Sequence, residues 1–370
     1  MENENSRKRF EVLDTMRGLF CILIVLYHYY GTCNGGFLSK IKIISDISAN
    51  GNVVVDFFFM ISGFCMAVNY KNRIMNHVIR FKDYFVKHYL KFISFALLTL
   101  PLALVKQVLV YKAGLDVKPN ITDAILDVLC LRSGWGLQIA FPYNSPLWFI
   151  AVLLIMYLLY YVVCLLAKGS NTRYVTLCCF IFTIGITLIY NRHIFFYTIQ
   201  EVTARGYCNF FMGCLLYEVY RMTRNNTALI KRYNLLFILF VTVDVVVYLL
   251  GHPSIWGDFR IVFMFLLWPA LIWGAVQSRW LERILTVKPL LGLGKLSNSI
   301  FIWHHPVIFI IFPLVYMGKL RIDLGSFGIF CIIMLIILTI AFLSNKFLEN
   351  RTFRVLMSFF EKDNLKYSKS

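Results

Sequence analysis

The chain has 370 residues, 59% of them apolar and only 15% charged, with a mean hydropathy of +0.70. That balance excludes an ordinary soluble globular protein and reads as an integral membrane protein. A formal charge of +18 would raise nucleic acid as a partner, but the cations gather in alternate loops between apolar runs, so no nucleic-acid partner is expected.

Apolar stretches of helical length recur around 16–31, 51–70, 92–111, 146–166, 174–190, 207–220, 233–250, 260–276, 297–316 and 326–345. They predict an all-α polytopic membrane helix bundle of about ten transmembrane helices, the stretch 207–220 being the shortest. There is no internal repeat and no low-complexity linker, so 1–350 reads as one transmembrane domain and 351–370 as a basic cytoplasmic tail. The first apolar run follows Met1 to Arg9 and carries no small-residue cleavage site, so it reads as a retained span rather than a removed signal peptide. Most of the 37 Lys and Arg residues fall in the segments that share a side with the N-terminus. That asymmetry predicts both termini in the cytoplasm. The ten cysteines show no CxxC pair and no zinc spacing, and most read as small buried apolar residues.

The first run holds Arg17 and, eleven residues further, His28. Eleven helical steps advance about 16 Å and rotate about 1100°, close to a whole number of turns, so both side chains share one face. An ionisable group in hydrocarbon is unfavourable by several kcal/mol unless it is paired or lines a polar cavity, so the stripe suggests a route through the bundle. Two readings stand for His28: an interfacial residue among Tyr27, Tyr29 and Tyr30, or a general base acting on an attacking hydroxyl. Arg17 reads either as a membrane-surface anchor or as a holder of an anionic group, and Asp14, one turn earlier, can orient it.

In the second run Asp56 stands where a carboxylate is expensive and expects a cavity or a partner, while Ser62-Gly63 permits close helix approach. Packing explains Gly63; Asp56 and Ser62 stay open. The loop and helix start that follow carry Lys71, Arg73, Arg80, Lys82, Lys87 and Lys91, enough for the positive-inside rule and also suited to docking phosphates. Further on, the aromatics Trp135 and Tyr143 read as interfacial, though they could also stack on a sugar. Near the end His304 and His305 fall inside a span, about 100° apart on a helix, which makes them a poor metal pair. One is expected to face a cavity and the other to pack, and no metal is expected. The stretch GLGKLS, Gly292 to Ser297, is not a phosphate loop, because Pro289 occupies the place of its first glycine.

Four of these pieces occur in an order that resembles the acyltransferase type 3 family. Leu13-Asp14-Thr15-Met16-Arg17-Gly18 with His28 resembles its opening signature, and Asp56 to Phe64 its second-span signature. Ser145-Pro146-Leu147-Trp148 is similar to the start of its fourth span, and Ser297 to His304 to its late motif. The resemblance runs from about Phe10 to Asn350. It implies a membrane O-acyltransferase, most commonly an O-acetyltransferase, using acetyl-CoA or another acyl-CoA as donor. It also implies a carbohydrate or glycolipid acceptor, namely a surface polysaccharide, its lipid-linked precursor or a glycolipid, at the inner (plasma) membrane. On that resemblance His28 is the catalytic base and Arg17 part of the donor site. Lys87 and Lys91 stand where the family has an arginine-rich pattern, and Asn298 where it has a tyrosine. Asp14, Asp56, Ser62, Trp148 and His304 are expected to orient these groups or contact the acceptor. The competing reading is a transporter or flippase that uses the same intramembrane charges; it lacks the internal repeat many transporters show. A regulatory membrane protein with a decayed site is the third.

Overall fold

The computed structural model describes residues 10–115, 118–135, 137, 142–190, 201–232, 235 and 263–367, with side chains to residue 360. Apart from Leu235, the span expected at 233–250 lies outside the described residues. Those described form helices and loops and contain no strand. In chain order the helices used below are α1 (Glu11–Thr32), α2 (Lys42–Ala49), α3 (Val54–Met75), α4 (Phe81–Lys112), α5 (Ile121–Val128), α6 (Leu147–Ala167), α7 (Asn171–Tyr190) and α8 (Glu201–Thr223). They continue as α9 (Trp268–Gln277), α10 (Arg279–Leu285), α11 (Lys288–Tyr316), α12 (Phe327–Leu343) and α13 (Asn350–Tyr367). Among the described residues seven helical stretches are long and apolar enough to cross a membrane, so the chain is an all-α polytopic membrane protein.

The expected runs that fall on described residues correspond to helices that mostly extend beyond them. α4 starts well before the apolar run at 92–111, because its first turns carry the charged and aromatic residues Phe81 to Lys91. The short run at 207–220 is the middle of the 23-residue α8, whose Glu201, Arg205, Glu218 and Arg221 dilute its hydropathy. Partners inside the protein, rather than lipid, meet the charges of Arg205 and Glu218. Arg205 pairs with Asp56 at 2.7 Å, and Glu218 with Lys71 at 2.5 Å. These two buried pairs tie α8 to α3 near both ends.

Glycines set the closest helix approaches. A Cβ on Gly63 of α3 would overlap the Phe210 carbonyl oxygen of α8, and one on Gly213 of α8 would overlap that of Met60. α1 and α11 meet in the same way: a Cβ on Gly18 would lie 2.7 Å from the Gly294 nitrogen, and one on Gly294 would lie 2.7 Å from the Asp14 carbonyl carbon. Lipid tails give helices no hydrophobic drive to associate, so backbone-to-backbone packing of this kind is what holds them. Gly294 belongs to the run compared above with a phosphate loop; in the fold that run is the interior of α11, behind Pro289 in its first turn.

Helix directions follow from the contacts. Gly18 meets Gly294 and His28 meets His304, so α1 and α11 run parallel. Arg17 meets Cys65, while Tyr27 approaches Gly51 just before α3, so α3 runs the opposite way. α6 runs with α3, since Phe149 packs on Phe58 and Phe59 and the Tyr160 hydroxyl donates to the Met66 carbonyl. α4 runs with α1, because Tyr84 donates to the Tyr157 carbonyl and Thr99 accepts from Asn144. The bundle therefore has an Arg17 end and a His28 end.

Candidate active site

The guanidinium of Arg17 is fixed by two neighbours. Nη1 donates to Asp14 Oδ1 at 3.2 Å, one turn back on α1, and Nη2 to Cys65 Sγ at 3.4 Å on α3. It borders a cavity of about 330 Å³ enclosed by α1, α3, α4, α6 and α11. The polar lining comes from Arg17, Ser62, Asn69, His88, Lys91, Ser297 and Asn298, and much of the rest from phenylalanines. Ser62 gives its proton to the Phe58 carbonyl at 2.7 Å, which turns an oxygen lone pair outward. His88 is boxed edge-on by Tyr70, Tyr84 and Tyr157, with ring centroids 5.2, 5.2 and 4.9 Å away. Lys91 is exposed and completes the basic side of the cavity.

Beyond the cavity lies a histidine cluster. His28 is half-buried, with its ring centroid 5.1 Å from that of His304 and 5.6 Å from that of His305. His304 Nδ1 lies 3.0 Å from the Ile300 carbonyl oxygen. A carbonyl can only accept, so Nδ1 carries the proton and a neutral ring presents Nε2 as a bare acceptor. That Nε2 is buried and makes no hydrogen bond. His305 is buried, stacks on Phe309 at 4.3 Å and keeps Nδ1 without a hydrogen bond. Neither His304 nor His305 lines the cavity, so the expected division of one facing it and one packing is not seen; both imidazoles border His28. Among the described residues no group of three or more His, Cys, Asp or Glu side chains is arranged to hold a metal ion.

The cluster is braced from the loop between α4 and α6. Pro306 has no N–H to give the Ile302 carbonyl one turn back. The side-chain amide of Asn144 supplies the missing donor at 3.0 Å and also reaches Thr99 Oγ1 at 3.2 Å. Asn144 is itself held by its backbone N–H, which donates to Asp127 Oδ2 at 2.8 Å, and Asp127 pairs with Arg132 at 3.0 Å. Burial pushes the Asp127 carboxyl above its ordinary range, although the Arg132 guanidinium pulls the other way. Trp135 and Tyr143, read above as interfacial, turn inward: Trp135 donates to the Ala151 carbonyl at 3.0 Å and Tyr143 to the Asn120 carbonyl at 2.9 Å.

Arg17, Ser62 and Lys91 thus come together around one cavity, with Asp14 behind Arg17. His28 and His304 form a second group beyond it and do not line it. Lys87 is not among the lining residues, whereas its neighbour His88 is. Asp56 and Trp148 belong to a third group, in which Asp56 accepts from Arg205 and Asn209 and the Arg205 guanidinium lies 5.6 Å from the Trp148 ring centre. Sequence reading missed Cys65, Asn144 and the contribution of His88. Only Asn144 had a legible signal, since Pro306 announces an orphaned carbonyl at Ile302 that some donor must meet.

A family model described as an acyltransferase domain matches residues 10–346. No curated protein and no solved structure matches the chain. The matched region contains every helix that borders the cavity and the histidine cluster. With its multi-pass helical architecture and a polar cavity beside buried imidazoles, the chain belongs to the acyltransferase type 3 family and is a membrane acyltransferase.

Proposed function

We propose that the protein moves an acyl group, most simply acetyl, from acyl-CoA to a hydroxyl of a surface polysaccharide, its lipid-linked precursor or a glycolipid. The observation that carries this reading is a basic cavity at the Arg17 end followed, along the same two parallel helices, by paired imidazoles. The Lys and Arg distribution argues for the Arg17 end facing the cytoplasm, where acyl-CoA is made, and for insertion in the plasma membrane. Arg17 holds a donor phosphate or carbonyl with its fork, and Lys91 and Lys87 act as point charges at the mouth.

His28 is the base. It takes the proton from the acceptor hydroxyl as the oxygen bonds to the acyl carbon. The carbon–sulfur bond then breaks, and the CoA thiolate leaves with the proton returned from the imidazolium. His304 Nε2, a bare acceptor beside His28, orients the acceptor by taking a hydrogen bond from a neighbouring hydroxyl, while the proton of the reacting hydroxyl goes to His28. Asp14 positions Arg17, and Ser62 offers a lone pair within the donor cavity. Asp56 and Trp148 hold α3 and α6 against α8.

The test is mass spectrometry of surface glycans from cells with and without the gene. Loss of one acyl unit per acceptor upon deletion supports the reading. Glycans that vanish from the surface but keep their acylation inside the cell point instead to a flippase, and glycans unchanged in mass and location remove the reading.

A further inference from the structure

The cavity and the histidine cluster are separated by a layer of aromatic rings. On four of the helices that line the cavity, a phenylalanine stands at or next to the point, toward the His28 end, where the lining stops. On α3, which runs away from that end, the first lining residue is Phe58; on α6 it is Phe149. On α4, which runs toward it, the last is Phe95, and on α11 the last are Phe301 and Ile302. All four rings are buried. Phe58, Phe149 and Phe301 close a triangle, with centroid separations of 6.3, 6.1 and 5.5 Å. Phe301 is also in contact with His304, 6.1 Å between ring centres. One layer of carbon therefore parts the polar cavity from the imidazoles.

Water in such a layer has no hydrogen-bond partner, and an isolated polar group there is unfavourable by several kcal/mol. A thioester in the cavity is thus kept from meeting His28 and a water together. We infer that the Phe58–Phe149–Phe301 layer decides whether the acyl group goes to the acceptor hydroxyl or to water. The inference rests on the donor reading above. With the layer closed, His28 cannot serve water attacking the thioester; a bound acceptor parts the rings and replaces water at the imidazole. If the layer is opened artificially, His28 takes a proton from water, the water oxygen bonds to the acyl carbon and the carbon–sulfur bond breaks. Free carboxylic acid and CoA thiol are the products, the thiolate regaining its proton from His28.

The experiment uses the full chain in nanodiscs with acetyl-CoA and no acceptor, following CoA thiol release with a thiol reagent and acetyl-CoA binding at equilibrium. Phe149→Ala and the milder Phe58→Leu are compared with wild type, each checked for a monodisperse gel-filtration profile. The expected result, at saturating acetyl-CoA and whatever the change in its affinity, is hydrolysis raised about tenfold or more, since a positioned base contributes roughly 10²–10⁴-fold. Adding His28→Ala to Phe149→Ala returns the rate to that of wild type. Either variant that binds acetyl-CoA without faster hydrolysis overturns the inference, as does a rise that survives His28→Ala. If wild type does not bind acetyl-CoA, the donor reading itself fails, and that outcome is distinguishable because it appears before any substitution is made.

Discussion

The side-chain amide of Asn144 donates at 3.0 Å to the carbonyl of Ile302, the oxygen that Pro306 deprives of its helical partner. The bond anchors the loop before α6 to α11 beside His304. Replacing Asn144 with leucine leaves a buried carbonyl unmet, worth about 1–3 kcal/mol. Asn144→Leu is therefore expected to lower the melting temperature of the purified protein by several degrees. Adding Pro306→Ala restores an N–H for Ile302, so the double variant should recover part of the loss. Additive losses in the two substitutions would contradict this role for the bond.

The Asp56–Arg205 pair gives a second prediction. Both groups are buried, and removing one partner leaves an uncompensated charge, typically destabilising by about 3–5 kcal/mol. Asp56→Leu or Arg205→Met alone should reduce the folded yield sharply, while the two together should restore most of it. The folded double variant is expected to keep acyl transfer, measured as label moved to glycan. A well-folded but inactive double variant would show that Asp56 meets substrate instead.

Close approach at the glycines is tested by adding one carbon. Gly18→Ala and Gly294→Ala force apart backbones that leave only 2.7 Å for a Cβ, so both should lower thermal stability. Gly292, two residues before Gly294 on the same helix, is exposed, and a methyl group added there would meet nothing within 4 Å. Gly292→Ala should leave stability unchanged or raise it by up to about 1 kcal/mol.

Arg17 contributes geometry as well as charge, for its two terminal nitrogens reach different helices. Arg17→Lys keeps the charge and loses the fork. The expected effect is a rise of about tenfold in KM for acyl-CoA, equivalent to ~1.4 kcal/mol, with a smaller change in kcat. Equal KM values for Arg17→Lys and wild type would remove Arg17 from the donor site.

The fold class was legible because long apolar runs admit few alternatives, and Arg17 and His28 share an unbroken α1 as their spacing requires. The α8 boundaries were not, because its charges are neutralised by Asp56 and Lys71, residues about 150 positions away whose pairing no local pattern encodes. The same holds for the site. Arg17, Ser62 and Lys91 could be named from residue type and motif, yet the cavity they share depends on glycine crossings between distant helices. Lys87 and His88 are adjacent on α4, and only the helix rotation decides that His88 reaches the cavity. The phenylalanine layer was invisible for a different reason: its rings look like ordinary apolar residues until three helices bring them to one level.

His28 as the base is the central claim, and transfer of radiolabel from acetyl-CoA to glycan in isolated membranes tests it most directly. The comparison is between wild type and His28→Ala at matched membrane levels, with acetyl-CoA binding measured in parallel. His28→Ala is expected to bind the donor normally while transfer falls by about 10² or more. Transfer at the wild-type rate in His28→Ala would contradict the assignment.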